Sequence, residues 1–285
     1  MGTTLPEQRP LAGHLGAAGL FLSVTAVTAC WLALNFVFPD FESIGIRRVV
    51  TRVIIHATIL ISLWLGLSRT DFSSATRSAV WLAIAVPFTL WLAVVWGLAI
   101  NGTFRPIPGG MRVPPLPIAI FAPVLVGLVL LMRSKRVAAV LDATPPSWLV
   151  GVQVYRIFGG IFLVSWARGS MPGVFALPAG IGDVLVGVLA LPVALYVSTG
   201  TSGGRTAGMA WNLLGLTDLA IAIAMGAMSS PGRLQVLSVD QPNVQIGTYP
   251  TVMIPAFTVP SSILLHSLSL WQLRRLARKA HGSAR

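Results

Sequence analysis

Apolar residues along the chain form eight long runs, separated by short polar or proline-rich stretches. Each run is close to the roughly 20 residues that an α-helix needs to cross a bilayer. A transmembrane barrel would instead give strands of about ten residues with alternating polarity. The pattern therefore predicts an all-α, polytopic transmembrane helical bundle with about eight spans. We place these spans at about residues 11–38, 47–67, 79–100, 116–132, 148–167, 174–197, 205–228 and 250–273.

The composition agrees with this interpretation. Of the 285 residues, 55% are hydrophobic and only 10% are charged, and the mean hydropathy is +0.80. A soluble protein of this size needs more polar residues to cover its surface. The single cysteine, Cys30, excludes an intrachain disulfide and a cysteine-based zinc site. We therefore expect a single transmembrane domain over residues 1–285, with membrane lipid as its surroundings.

The positive charge lies beside the predicted spans. The formal charge is +12, and five of the 20 basic residues are in the segment 274–285. No nucleic-acid recognition motif accompanies them, so we expect no nucleic-acid partner. With the N-terminus inside, twelve basic residues lie on the inner side and seven on the outer side. By the positive-inside rule, this predicts cytoplasmic N- and C-termini and a basic cytoplasmic tail at 274–285. We expect the membrane to be a bacterial inner membrane.

The segment 229–249 then lies outside the cytoplasm. Two β-prone runs at 234–239 and 244–249 flank the sequence Asp-Gln-Pro-Asn at 240–243, which is typical of a turn. We expect either a small hairpin or an ordered loop. This segment is either a cap over an outward cavity or an ordinary connector.

Two predicted spans each contain one carboxylate in apolar surroundings. In FALPAGIGDVLVGVLA, residues 175–190, Asp183 follows Gly180 with a Gly-x-x-Asp spacing, and Gly215 and Asp218 repeat that spacing in the next span. An aspartate at mid-membrane costs about 2.5–3.5 kcal/mol on insertion scales, and such residues are usually functional. Asp183 and Asp218 are therefore the main candidates for a functional site.

The depths of the ionisable residues predict which of them meet. At 1.5 Å per residue, Asp183 and Asp218 lie about 14 Å from the outer ends of their helices. His56 and Arg156 fall at comparable depths, whereas His266 is expected nearer the cytoplasmic end. We expect Arg156 to pair with one or both aspartates. Two carboxylates around one arginine can share a proton and release it, which makes their titration a property of the pair.

Other polar side chains are expected near the same pocket. Gln153 lies one turn before Arg156, and Trp211 and Asn212 precede Asp218. Asn212 is expected to form an interhelical hydrogen bond. Arg52, one turn before His56, is expected to extend its guanidinium to the lipid headgroups. For His56 itself, a hydrogen bond to a neighbouring helix and a role in the site both stay open.

Two resemblances bear on these residues. Gly180-Ile181-Gly182-Asp183 is similar to the Gly-x-Gly-Asp signature of intramembrane aspartyl proteases, in which that aspartate shares catalysis with a second one. This chain departs from that family, because Asp218 follows the motif instead of preceding it and the last span has no Pro-Ala-Leu. We interpret this four-residue match as coincidental.

The second resemblance covers roughly the C-terminal half of the chain. The stretches QVYRIFGGIFLV at 153–164, FALPAGIGDVLVG at 175–187 and IPAFTVPSSILLH at 254–266 resemble an uncharacterised group of small bacterial polytopic membrane proteins. The resemblance implies about eight helices. It implies no activity.

Three functional hypotheses follow from the sequence. The first is a membrane protein whose Asp183, Asp218 and Arg156 form a pocket that binds a small or lipidic ligand, with or without transporting it, with proton coupling. The second is a membrane-embedded enzyme for a lipid or isoprenoid, with an aspartate as general acid and Trp166 or Trp211 shielding a cation. The third is a structural or assembly protein with a buried charge lock.

No cofactor and no metal are expected. His56 and His266 fall at different predicted depths and do not form a helical pair of ligands such as H-x-x-x-H. The chain has no phosphate-binding glycine loop and no nucleophile elbow of the G-x-S-x-G type.

Overall fold

A computed structural model describes residues 9–38, 45–106 and 115–282 of the chain, and the side chains of 16–38, 51–106 and 115–279. All regular elements in these ranges are helical. The α-helices are α1 (Arg9–Val37), α2 (Gly45–Ser68), α3 (Ser74–Ile100), α4 (Pro115–Arg133), α5 (Lys135–Ala143), α6 (Pro146–Gly151), α7 (Ile161–Ala167), α8 (Gly173–Ser198), α9 (Ser202–Ser229) and α10 (Val259–Gly282). A 3₁₀-helix (Val152–Gly160) joins α6 to α7, and a π-helix (Ile254–Thr258) leads into α10.

Eight helical segments in the described ranges are long and apolar enough to cross a membrane, which confirms the predicted number and the helical class. Two of them differ from the predicted regular spans. The fifth, Pro146–Ala167, contains the 3₁₀-helix in its middle. The eighth, Ile254–Lys279, begins four residues later than predicted, and its helix continues to Gly282. Most of the predicted basic tail is therefore helical, and residues 283–285 lie outside the described residues.

The short helix α5 lies between the fourth and fifth predicted spans. Ser134 caps its N-terminus, since its hydroxyl accepts a hydrogen bond from the Val137 amide at 3.3 Å. At the other end, the Gln272 side chain in α10 donates to the carbonyls of Leu141 (2.5 Å) and Thr144 (2.7 Å). These bonds satisfy carbonyls that the end of a helix leaves without partners. They attach α5 to the C-terminal part of the eighth span.

The C-terminal four spans form the interior of the bundle. In the eighth span 61% of residues are buried, compared with 11% in the first. Helix α8 packs against α1, α6, the 3₁₀-helix, α7 and α9, and α10 packs against α4, α6 and α9. Because α8 and α10 each pack against several helices, polar groups on their packed faces lie inside the bundle. This is where a polar site can be satisfied within the protein.

Residues 230–253 form an ordered loop, and the structure has no hairpin there in the described residues. Asn243 is buried in the loop; its amide nitrogen donates to Ser229 Oγ at 3.4 Å, and its Oδ1 accepts from the Ile246 amide at 3.4 Å. The Gln241 side chain donates to the Gly169 carbonyl between α7 and α8. We refer to the end of the bundle that carries this loop as the long-loop end.

A close approach between α8 and the 3₁₀-helix depends on Gly187. A Cβ atom at this position would lie 2.5 Å from the backbone nitrogen of Ile157 and 3.1 Å from the carbonyl carbon of Arg156. Backbone atoms cannot rotate out of the way as a side chain can. Gly187 therefore determines how near Arg156 comes to α8.

We predict that Gly187→Ala lowers the free energy of unfolding by about 1–3 kcal/mol, because the methyl group forces the two backbones apart. The matched control is Gly97→Ala, at a helical position where a Cβ meets nothing within 4 Å. That change is expected to be neutral or to stabilise by up to about 1 kcal/mol. Unfolding in detergent micelles, followed by tryptophan fluorescence, measures both. Equal stability of the two variants would contradict the close approach.

A second prediction concerns the ion pairs between α5 and α10. Asp142 bonds to Arg275 at 2.6 Å and to Lys279 at 3.0 Å. The hydrogen bond from Arg275 holds the pKa of Asp142 below its ordinary value. Its stabilising contribution is therefore present above the ordinary pKa and is lost as the pH falls through the lower pKa of the folded state.

We expect Asp142→Asn to remove part of the acid sensitivity of the melting temperature below about pH 4. Asp71→Asn is the control, because Asp71 is exposed and lies outside these ion pairs. An unchanged acid limb in Asp142→Asn would show that the ion pairs contribute nothing to stability.

Candidate functional site

The 3₁₀-helix aligns three residues of the site. This geometry has three residues per turn, so side chains three apart lie directly above one another. Gln153, Arg156 and Gly159 therefore share one face, and all three are buried. An α-helix would rotate each of them away from the last by about 60°. A nine-residue 3₁₀-helix is unusually long, and such interruptions of a helix often occur at hinges or functional sites.

Arg156 joins three spans through its guanidinium group. Its Nε donates to Asp183 Oδ1 at 2.7 Å, and one terminal nitrogen bonds to both Asp183 Oδ1, at 2.6 Å, and Asp218 Oδ2. The other terminal nitrogen donates to the Gly215 carbonyl and to His266 Nε2, each at 3.2 Å. A guanidinium has five N–H groups, and these five contacts provide one acceptor for each. We call Arg156, Asp183, Asp218 and His266 the arginine cluster.

Glycines make room for the members of this cluster. A Cβ at Gly159 would overlap Asp183, one at Gly182 would overlap Asp218, and one at Gly215 would overlap the His266 ring. Gly182 belongs to the Gly-x-Gly-Asp motif, and Gly180 lies against Leu163. The glycines of both Gly-x-x-Asp units therefore have packing roles. Close helix packing through small residues is typical of membrane interiors.

His266 belongs to the cluster, although the sequence placed it nearer the cytoplasmic end. The predicted eighth span began at residue 250, whereas the observed span begins at Ile254. His266 is then 12 residues from that end, similar to Asp183, ten residues after Gly173, and Asp218, 11 residues before Ser229. The signal that could have located it is the pair of prolines, Pro255 and Pro260, which disturb the start of this helix.

The hydrogen bonds of His266 determine its tautomer. Its Nε2 faces Arg156, which can only donate, so Nε2 accepts. Its Nδ1 lies 2.9 Å from Asn212 Oδ1, which can only accept, so Nδ1 carries the proton. The imidazole is therefore neutral in this arrangement. A second proton on Nε2 would point at the guanidinium and break the contact.

The remaining predicted pocket residues surround this histidine. The Gln153 amide nitrogen lies 3.3 Å from His266 Nδ1, and the Trp211 ring lies 4.9 Å from the imidazole, measured between centroids. Asn212 donates to Ser269 in α10 at 2.9 Å, which is the interhelical hydrogen bond expected of it. Trp211 donates to the Val186 carbonyl in α8. Asn212 and Trp211 hold His266 in position, whereas the Gln153 amide nitrogen donates to the Leu149 carbonyl at 3.4 Å. Trp166 lies exposed on the surface.

His56 does not join the cluster. It is 11 residues after Gly45, so its depth is comparable, but its ring is stacked on Phe88 and its Nε2 lies 3.1 Å from Thr89 Oγ1. Both partners belong to α3. Depth in the membrane was therefore insufficient to predict which residues join the cluster. His56 points from its helix towards α3 and not towards Arg156.

A small cavity adjoins the cluster on the side of the long-loop end. It has a volume of about 20 Å³, and its polar lining includes Arg52, Tyr155, Asp183, Thr258 and Ser262. Arg52 is buried here, at 8% exposure, so the prediction that it reaches the headgroups was wrong. The cavity is large enough for about one water molecule. Pockets for drug-sized ligands have roughly 300–1,000 Å³, so a lipid or isoprenoid does not fit this cavity in the present conformation.

Residues 113–274 match a family described as a domain of unknown function (DUF8737). Because the match covers more than half of the chain, the chain belongs to this family. No curated protein and no solved structure gives a significant match. The matched range contains the whole arginine cluster and agrees with the expected membership of an uncharacterised group.

We predict that Arg156→Gln lowers the free energy of unfolding by about 3–5 kcal/mol, because it leaves two buried carboxylates without a cation. Arg275→Gln is the matched control, since it breaks a partly exposed pair with Asp142 and is expected to cost at most about 1 kcal/mol. Chemical unfolding in detergent micelles compares the two variants. Similar losses in both would contradict a buried, fully paired arginine.

Proposed function

We propose that this member of the family is a multi-pass membrane protein that binds and moves a small or lipidic ligand with protons, and that Asp183 and Asp218 carry the exchangeable proton. The observation that carries the proposal is the single guanidinium of Arg156 between two carboxylates from different spans. By the distribution of basic residues, we also propose a bacterial cytoplasmic membrane with both termini in the cytoplasm.

The charges of the cluster support an exchangeable proton. With both carboxylates ionised, Arg156, Asp183 and Asp218 together have a net charge of −1, which one added proton makes neutral; the buried Arg52, which lines the same cavity as Asp183, is the other positive charge that can compensate it. Uncompensated charge inside a bilayer is costly, so a proton is a favourable partner for this group. The two carboxylates accept from the same guanidinium, and the proton is therefore a property of the pair.

Protonation of this pair changes the contacts between helices. A neutral carboxyl group holds Arg156 less strongly than a carboxylate, because the charge-assisted hydrogen bond is lost. Asp183 is in α8, Asp218 is in α9 and Arg156 is in the 3₁₀-helix, so proton binding weakens the attachment of one span to another. A bound ligand shifts the equilibrium between two conformations only if it makes different contacts in each of them. In this protein the proton acts as that ligand, because its binding changes the contacts between Arg156 and the aspartates.

Two irregular segments next to the cluster support movement. The 3₁₀-helix contains Arg156, and the π-helix Ile254–Thr258 lies about two to three turns before His266 in the same span. Departures from α-helical hydrogen bonding are common at hinges and functional sites. A ligand larger than one water would enter after these segments have moved, because the cavity beside Asp183 is only about 20 Å³.

A structural lock is the second candidate, and one observation favours it. Each N–H group of Arg156 has an acceptor, so the guanidinium has no donor left for a ligand. A static lock keeps both aspartates ionised and paired at all pH values near neutrality. A proton-coupled protein does not.

Infrared difference spectroscopy of the protein in lipid vesicles separates these two functions. We expect a protonated carboxyl C=O band that appears as the pH is lowered, and we expect both Asp183→Asn and Asp218→Asn to abolish it. Asp142→Asn is the control and keeps the band, because Asp142 lies outside the spans. No such band in the wild-type protein between about pH 5 and 9 would favour the lock.

Amide hydrogen exchange tests whether proton binding reaches the helices. Exchange in residues 152–160 and 254–258 is expected to depend on pH in the wild-type protein and to lose that dependence in Asp183→Asn and Asp218→Asn. A carboxyl band without any change in exchange would leave proton binding intact and would contradict coupling to movement.

A further inference from the structure

The cavity beside Asp183 has the size and the polar lining of a buried water site. Its volume is about 20 Å³, above the roughly 10–15 Å³ that one water needs. A buried water also needs two to four polar partners. Thr258, Tyr155, Ser262 and Asp183 supply them, and each of these four has hydrogen-bonding capacity left over; the charged groups of Arg52 and Arg156 also line the cavity.

Thr258 is the first of these partners. Its hydroxyl oxygen is buried and has no hydrogen-bond partner among the described residues. A buried hydroxyl without a partner costs roughly 1–3 kcal/mol. Thr258 is the last residue of the π-helix and lines the cavity. A water in the cavity removes this cost.

Tyr155 and Ser262 provide the second and third partners. Their hydroxyl oxygens are 2.8 Å apart, and this hydrogen bond uses only one of the two hydroxyl hydrogens. The other hydrogen and the remaining lone pairs are directed to no partner within the described part of the chain. Both residues line the cavity. Ser262 lies one turn after Thr258, on the same face of the span.

Asp183 completes the set. Arg156 bonds to Oδ1 of this carboxylate, through both its Nε and a terminal nitrogen. The other oxygen, Oδ2, lies against Gly159, and both Gly159 and Asp183 line the cavity. A side chain at Gly159 would take this space. Oδ2 is thus the oxygen of Asp183 that a water in the cavity can reach.

The cavity lies between the cluster and one end of the bundle. The residues of the eighth span that line it are Ile254, Thr258, Val259 and Ser262, all nearer the long-loop end than His266 is. Towards the other end of the bundle, the next ionisable side chains beyond Asp183 are those of Arg156 and His266. Arginine does not release its proton in proteins. Proton access to Asp183 through the cavity therefore comes from the long-loop end.

We propose that this cavity binds one water molecule, held by Thr258, Ser262, Tyr155 and Asp183 Oδ2, and that this water is the route by which protons reach Asp183 from the long-loop end. A hydronium ion from solvent on the long-loop side gives a proton to the cavity water as that water gives one to Oδ2, so the cavity water is regenerated, the solvent keeps one neutral water, and the positive charge of the hydronium ends by neutralising the carboxylate. The inference rests on the proposed function, because it assigns the path of the same proton.

Hydrogen–deuterium exchange of the Asp183 carboxyl group tests the route. The C=O band of a protonated carboxyl shifts when its hydrogen is replaced by deuterium, so the rate after transfer to D2O can be followed by infrared spectroscopy. We expect Thr258→Val and Ser262→Ala to slow this exchange about tenfold each, since each removes one hydrogen bond of the water. Thr258→Val keeps the shape of the side chain.

Ser261→Ala is the matched control. Ser261 is also buried in α10, but its hydroxyl donates to the Phe257 carbonyl at 2.7 Å and it does not line the cavity. We expect exchange at the wild-type rate in this variant. Equal rates in Thr258→Val, Ser262→Ala and Ser261→Ala would overturn the route and leave the proposed function standing. A wild-type protein without a protonated carboxyl band would overturn both.

A high-resolution experimental map gives a second, independent measurement. We expect density for one ordered water within hydrogen-bonding distance of Thr258 Oγ1 and Asp183 Oδ2, and no such density in Thr258→Val. A dry cavity in the wild-type protein would overturn the water site, whatever the result for the carboxyl band.

Discussion

The arrangement of the bundle interior depends on satisfying one buried cation. The guanidinium of Arg156 is almost fully buried, with its side chain 1% exposed, and it lies near the middle of a span. Its hydrogen bonds reach α8, α9 and α10, so these helices and its own span meet at one point. Breaking a buried ion pair by removing one partner costs about 3–5 kcal/mol. The positions of the surrounding glycines, of the 3₁₀-helix and of His266 are all consistent with this requirement.

The same requirement explains a motif that otherwise suggests proteolysis. In Gly180-Ile181-Gly182-Asp183, Gly182 leaves room for Asp218 and Gly180 leaves room for Leu163. Gly215, in the second Gly-x-x-Asp unit, leaves room for His266. A glycine-rich sequence before an aspartate thus arises here from helix packing around an ion pair. Both aspartates here bond to one terminal nitrogen of Arg156, whereas the two carboxylates of an aspartic protease dyad contact each other directly.

Hydropathy and depth predicted the number of spans and brought Arg156, Asp183 and Asp218 to one level, because both depend only on position along the chain. Two features were beyond that reasoning. The direction of a side chain around its helix separates His56 from the cluster, and it depends on packing with α3. The eighth span begins later than predicted, and this places His266 in the cluster. The late start depends on a π-helix, which cannot be predicted from hydropathy.

The 3₁₀-helix has a mechanical consequence. Nine residues rise about 2.0 Å each in this geometry, compared with 1.5 Å in an α-helix. Rewinding Val152–Gly160 as an α-helix would shorten the fifth span by about 4.5 Å and would turn Gly159 about 60° away from Arg156. Such a change in length, nearly the rise of one α-helical turn, would move Arg156 along the axis of its own span relative to α8, α9 and α10.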